Sequence, residues 1–348
     1  MSAPSRNVVH RIAPLCTVLV LLVSSSAWAV GFATSLWIAN RGNANVLQFP
    51  LSASGNVAPT TTLSCLSPGC SGGGFSRVQS VQLDAGGNIW VLDLNNNAVY
   101  KFNAGSSGAA TPSVTVSGAN THLNAPFSMC FDSSGDLWVA NFSNSGANAV
   151  VEFSAANLVA GGNIAPTQND SITGGASGCT FDSSGNLYIG GGNPAVLNEY
   201  NAGALTTLNW SITGAATTLA TQQVVPETDA AGNIYTDGNS TYLKFNAGAC
   251  THAASPCNIA PNATFGAATG FSIAIDASGN IYTDFGTATM DVYNSALVHD
   301  HSISGAATTL SQAQYASLLS QAPAGTPTPT GCVRSHPNQN QGIGPRCR

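Results

Sequence analysis

Of the chain's 348 residues only 7% are charged, 15 acidic against 9 basic, for a net charge of −6. Such a charge-poor, acidic chain lacks the electrostatic footprint that nucleic-acid phosphate or an anionic membrane surface requires, so neither partner is expected. Small and polar residues abound, but recurring aromatic and β-branched residues mark a packed β fold rather than a disordered segment.

The first residues carry export signals. Arg6 and Arg11 form a basic start, Leu15 to Val23 an apolar run, and Ala27-Trp28-Ala29 a small-x-small cleavage site. This predicts a secretory signal peptide over residues 1–29, with an apolar run too short to span a bilayer. Cys16 has no lipobox after it, so no lipid anchor is expected. Without Arg6 and Arg11, seven basic residues face fifteen acidic ones, a net charge of about −8. No later stretch approaches the length of a transmembrane helix. The mature chain is expected to be secreted or periplasmic, monomeric and not inserted in a membrane.

Five copies of one phrase follow: Asp84-Ala-Gly-Gly-Asn-Ile-Trp90, Asp132-Ser-Ser-Gly-Asp-Leu-Trp138, Asp182-Ser-Ser-Gly-Asn-Leu-Tyr188, Asp229-Ala-Ala-Gly-Asn-Ile-Tyr235 and Asp276-Ala-Ser-Gly-Asn-Ile-Tyr282. Their aspartates are 48, 50, 47 and 47 positions apart, and a partial sixth copy, Leu36-Trp37-Ile38-Ala39-Asn40, precedes them. Periods of this size belong to repeat arrays and propellers. Residues 78–119 show what one repeat builds. Val78 to Leu83 reads as a strand, Asp84 to Asn88 as a tight reversal, Ile89 to Leu92 as a second strand, Ala98 to Phe102 as a third and Ser113 to Val116 as a fourth. Four antiparallel strands in under fifty residues is one propeller blade. The repeat aspartates are expected to make turns, and the alternating ligands of an EF-hand loop are missing. Trp90, Trp138, Tyr188, Tyr235 and Tyr282 are expected to pack within and between blades; stacking against a sugar is the alternative.

Asn124-Ala-Pro-Phe-Ser-Met-Cys-Phe-Asp132, followed by Ser-Ser-Gly-Asp-Leu-Trp-Val-Ala-Asn141, resembles an NHL repeat, as does the recurrence of Gly55-Asn-Val-Ala-Pro59, Gly162-Asn-Ile-Ala-Pro166 and Cys257-Asn-Ile-Ala-Pro261 before the fourth strands. The resemblance covers roughly residues 32 to 305 and extends to gluconolactonase-like and streptogramin-lyase-like propellers. It implies a propeller fold and ligand entry at the rim opposite the aspartate turns, but no one activity, since such folds host binding proteins, hydrolases and lyases.

Six aromatic anchors, Trp37 included, predict an all-β, six-bladed propeller of four-stranded antiparallel blades over residues 30–322. The first blade lacks an inner strand. Ser211 to Leu219 and Ser302 to Leu310 are near duplicates offset by 91, which places Tyr315 to Ser320 opposite the inner strand around Val224 to Asp229. A C-terminal strand there would close the ring and remove two exposed edges; the competing expectation over 311–322 is a short helix. Residues 323–348 read as a Pro/Thr linker and a poorly ordered tail.

Eight cysteines remain after Cys16, an even number suited to disulfides in an exported protein. Proximity suggests Cys65–Cys70, Cys250–Cys257 and Cys332–Cys347. Cys130 and Cys179 lie two and three residues before their repeat aspartates. That offset turns their side chains to opposite faces of equivalent strands, so their pairing stays open.

The second rim offers Arg41, Arg77, Asp93, His122 and Asn141 as ligand-binding candidates, each alone in its loop. Glu227 lies in an inner strand, but the matching positions are Gln82, Cys130, Thr180 and Ala274, so no acidic ring is expected. His299 and His301 have the spacing of a transition-metal pair on one strand face, without a third ligand. No nucleophile elbow, P-loop or dinucleotide fingerprint appears. The expectation is a non-catalytic binding or scaffold module for a protein or small ligand, without a cofactor. The alternatives are a gluconolactonase-like lactone hydrolase, which would need a divalent cation such as Ca2+, a lyase working at the central channel, and a carbohydrate-binding protein.

Overall fold

The repeated phrase folds as its chemistry dictates. In every copy one aspartate oxygen accepts the amides two and four residues on, as at Asp182 from Ser184 (2.8 Å) and Asn186 (2.9 Å). The other oxygen takes the asparagine side chain at 2.8–2.9 Å in the copies headed by Asp84, Asp182, Asp229 and Asp276. In those four copies it also accepts the aromatic group that ends the phrase, from Trp90 at 3.0 Å to Tyr282 at 3.2 Å. The asparagine oxygen then ties down the next hairpin through the amides of Ala104, Ala202 and Ala247. One carboxylate thus fastens the first reversal, the second strand and, through asparagine, the third.

These turns organise a computed structural model that describes residues 35–66, 69–70, 73–142, 146–172, 175–202, 207–221, 223–267, 272–284 and 288–318. Its strands form six sheets, each the blade of a propeller, and five of them are simple four-stranded meanders. Blade 2 runs Val78–Leu83, Ile89–Asp93, Ala98–Phe102 and Val114–Ser117 from the inside outward. Blade 3 runs Pro126–Phe131, Leu137–Asn141, Gly146–Phe153 and Gln168–Ile172. Blade 4 comprises Ala176–Phe181, Leu187–Gly192, Ala195–Tyr200 and Leu208–Thr213. Blade 5 comprises Glu227–Thr228, Ile234–Asp237, Tyr242–Phe245 and Ala263–Phe265. Blade 6 comprises Ser272–Ile275, Ile281–Asp284, Thr289–Tyr293 and His299–Ser304.

Blade 1 is composite. Ser35–Asn40, Asn45–Pro50 and Thr61–Cys65 come from the N-terminal side, Ala313–Leu318 supplies the inner strand, and Gly108–Ala110, which follows the third strand of blade 2, adds a fifth strand parallel to Thr61–Cys65. The inner strand pairs antiparallel with the first, from Leu36 opposite Leu318 to Asn40 opposite Ala313. The ring therefore closes as expected, two residues earlier than predicted, and the helical alternative does not apply to residues 313–318. The pairing satisfies two strand edges that would otherwise be exposed.

The core is a set of layers between neighbouring blades. Ile89 and Val91 pack toward blade 1, while Trp90 and Leu92 pack toward blade 3, because strand alternation sends successive side chains to opposite faces. All six anchors are buried, none more than 6% exposed. That burial corrects the sugar-stacking alternative, since no saccharide reaches those rings.

Stacking also resolves Cys130 and Cys179, which form a disulfide together with the Cys65–Cys70 and Cys250–Cys257 pairs. Cys130 lies opposite Trp138 on the face of blade 3 that meets blade 4. Cys179 lies opposite Ile189 on the face of blade 4 that meets blade 3. Facing side chains of two stacked blades must come from opposite faces of equivalent strands. The offset that counted against the pair is what permits it. Cys332 and Cys347, with the rest of the tail, lie outside the described residues.

Candidate functional site

Asp93 and Asn141 end second strands at the rim opposite the aspartate turns, and both are fully buried. Asp93 accepts the backbone amides of Ser76 (2.7 Å), Arg77 (3.0 Å) and Asn96 (3.2 Å) and the Asn96 side chain (3.0 Å). Asn141 accepts the Asn124 amide and donates to the carbonyls of His122 and Asn148. Asn40 does the same in blade 1, accepting from Ser311 and donating to Thr309. These side chains lock the rim loops and are not presented to a ligand. His122 is exposed in the left-handed conformation, with Nδ1 3.1 Å from Asn148 Oδ1.

The two arginines behave differently. Arg41 follows the second strand of blade 1, and Arg77 immediately precedes the inner strand of blade 2. Although 36 residues separate them in the chain, they share one corner of the rim. Burial, then the nearby Arg77 charge, holds the Arg41 guanidinium below its ordinary value, and burial does the same to Arg77. Arg77 is anchored through its main chain, which donates to Asp93 and accepts from Leu94. Its Nε is buried with no hydrogen-bond partner among the described residues, and neither guanidinium forms an ion pair there. Leaving such a donor unsatisfied costs roughly 1–3 kcal/mol. The corner is therefore a concentration of positive charge with bonding capacity in hand.

Beside it lies an apolar patch that the repeat did not announce. Phe127 of blade 3 packs on Val225, which leads into blade 5, with Leu94 of blade 2 against them. Blades 3 and 5 are not neighbours, so these side chains meet across the mouth of the central channel. Phe142, 37% exposed, extends the patch with its ring 5.4 Å from that of Phe127. Leu94 joins patch and charge, since its amide donates to the Arg77 carbonyl at 2.9 Å. Phe127 occupies the position where the inner-strand register slips, as Gln79 and Ser177 do in blades 2 and 4. The change from polar residues to phenylalanine there was the available sequence signal.

Glu227 lies opposite Tyr235, half-buried, and its carboxylate accepts from Thr180 Oγ1 at 3.4 Å. The matched positions Gln82, Cys130, Thr180 and Ala274 lie opposite the other anchors, so the channel carries no acidic ring at this level.

His299 and His301, the weak metal candidates, turn to opposite faces of their strand. His301 lies opposite Val292 and His299 opposite Tyr293, so Asp300 is an extra residue that bulges the strand. His299 consequently meets Tyr293, Ser302 and Asp291 on one face, while His301 turns to the other and contacts Asp300. More broadly, no group of three or more His, Cys, Asp or Glu side chains converges among the described residues. The divalent site of a gluconolactonase-like hydrolase therefore has no fitting carboxylate set there, and no reaction step through a metal follows.

No family model matches the chain, and no curated protein matches it. Among solved structures, one titled "Streptogramin B lyase structure" aligns with 82% of this chain and 87% of its own, at 12% identity and a TM-score of 0.49. No helix among the described residues is long and apolar enough to cross a membrane.

Proposed function

We propose that the protein is an exported NHL-type propeller that binds an anionic small molecule or anionic side chain at the second rim, without chemistry. The observation that carries this is Arg77, whose buried Nε has no partner among the described residues while a second guanidinium stands beside it. Two like charges are held together at a cost that a carboxylate or phosphate would reverse, with the charge-assisted bonds that arginine makes best. The adjoining Phe142 and Leu94 favour a ligand with an apolar body behind its anionic head. Export is supported by the N-terminal signal pattern and by three disulfides, which persist in oxidising compartments.

The test is calorimetry at low salt with a panel of alkyl and aryl carboxylates and phosphates against the full chain. Binding should weaken roughly tenfold in Arg77→Gln and again in Arg41→Gln, in line with the loss of one charged hydrogen bond each. Titrations that show no binding, or binding indifferent to both variants, would remove this function.

A further inference from the structure

Asp291, His299 and Ser302 bring three donor atoms together on one face of blade 6. Asp291 lies two residues before Tyr293, so both side chains point to the face that meets Phe265 of blade 5. Ser302 stands directly across the ladder from Asp291, and the bulge at Asp300 turns His299 to the same face. His299 Nε2 lies 3.5 Å from Asp291 Oδ1 and 3.1 Å from Ser302 Oγ, and Ser302 Oγ donates to Asp291 Oδ1 at 2.5 Å. The site opens to solvent, since the His299 side chain is 49% exposed and that of Asp291 16%.

The donors are held in place. The Tyr293 ring packs edge-on against the imidazole, with centroids 5.4 Å apart. Gly55 of blade 1 clasps the outer strand, donating to Ser302 O (2.7 Å) and accepting from Ser304 N (3.0 Å), and Val57 plugs the core behind it, as Gly162 and Ile164 do against blade 2. Blade 4 shows what the fold alone requires at these positions. There Ser211 stands across from Asn198 and donates to its Oδ1 at 2.8 Å, and Leu208 lies opposite Tyr200 where blade 6 sets His299 opposite Tyr293. A neutral amide and an apolar side chain therefore suffice for the ladder. Blade 6 carries a carboxylate and an imidazole instead.

We propose that Asp291, His299 and Ser302 form an open binding site for a divalent transition-metal ion of the zinc type. Imidazole nitrogen selects such ions over calcium and magnesium, which prefer oxygen alone. Ligands of tetrahedral zinc, each about 2.0–2.2 Å from the ion, stand about 3.4 Å from one another. The separation of His299 Nε2 and Asp291 Oδ1 matches that spacing, so these are the two strong ligands. Ser302 Oγ is the weaker third, and its short edge to Asp291 widens as the ion enters. Water fills the remaining positions, which sets the site apart from a closed structural set of four side chains. His301, on the other face, takes no part. The site lies on the outer strands and does not depend on the arginine corner.

The test is calorimetric titration of Zn2+ into the full disulfide-bonded chain after dialysis against EDTA. One equivalent should bind at sub-millimolar Zn2+ and raise the melting temperature, as any ligand of the folded state does. Asp291→Asn keeps an acceptor for Ser302, as Asn198 does for Ser211, so it should melt like the parent in the absence of metal. It should nevertheless bind Zn2+ at least about tenfold more weakly, the loss seen when even an outer partner of a metal ligand is removed. His299→Ala should weaken binding to at least the same degree, while His301→Ala should bind like the parent. The proposal is overturned by absence of binding at millimolar Zn2+, by unchanged affinity in either Asp291→Asn or His299→Ala, or by loss of binding in His301→Ala.

Discussion

The boundary between blades 2 and 3 and that between blades 3 and 4 are built from the same repeat and held by different means. At the first, Gly162, Asn163 and Ile164 clasp the outer edge, and Lys101 lies over the Trp90 ring at 5.1 Å with Asp84 3.5 Å away. At the second no clasp is present among the described residues, and Glu152 stands opposite Trp138 where Lys101 stands opposite Trp90. Burial, then the charges of Asp136 and Asp132, raises the Glu152 carboxyl above its ordinary value. The Cys130–Cys179 disulfide joins this boundary near the axis. One interface is thus fastened at its outer end by noncovalent contacts, the other at its inner end by a covalent bond.

Breaking the covalent tie should have the largest effect. Replacing Cys130 and Cys179 together with serine should cost about 2–4 kcal/mol in denaturant unfolding, as for a loop of this length. It should also speed exchange in blades 3 and 4 before the other blades. Ile164→Ala, which empties the plug of the clasped boundary, should cost about 1–2 kcal/mol, because the side chain is only half-buried. Asn163→Ala removes the bond to the Asn120 amide, 2.8 Å, and should cost about 1 kcal/mol by the same measurement. If the clasp variants matched the disulfide variant in cost, the contrast between the two boundaries would disappear.

The smallest effect sharpens the electrostatic half of the contrast. A carboxyl whose folded value is raised binds its proton more readily in the folded state, so folding is favoured as pH falls through that value and levels off below the unfolded one, 4.5. Glu152→Gln is uncharged throughout. It should therefore be more stable than the parent at pH 7, with the difference shrinking as pH falls through the raised value toward 4.5. Thermal melts across that range test the sign.

Much of this architecture was legible because turn chemistry is local. Asp84 and its four counterparts bond within six residues, so the phrase predicted reversal, flanking strands and blade count together. Ring closure was legible for a different reason, since the repeat left one blade an inner strand short. The candidate site was read only in part. Arg41 and Arg77 are both legible as rim residues, but in the sequence each stands alone in its loop, because their meeting depends on how blades 1 and 2 stack. Asp93 and Asn141 had the right chemistry for ligands and proved to be buried loop locks. His299 and His301 do not share a face because one extra residue, Asp300, bulges the strand and breaks the alternation that their spacing implies.

The repeat, the turns, the strands and hence a ring of six blades are readable from the chain alone, because each rests on hydrogen bonds and alternation within one repeat. Which faces meet is settled by the folded ring, and with it that Cys130 reaches Cys179, that Gly162 and Asn163 clasp the edge of blade 2, and that two arginines share a corner. Those outcomes depend on contacts between residues tens of positions apart, whose geometry is set by the stacking of blades and is not written in any single repeat.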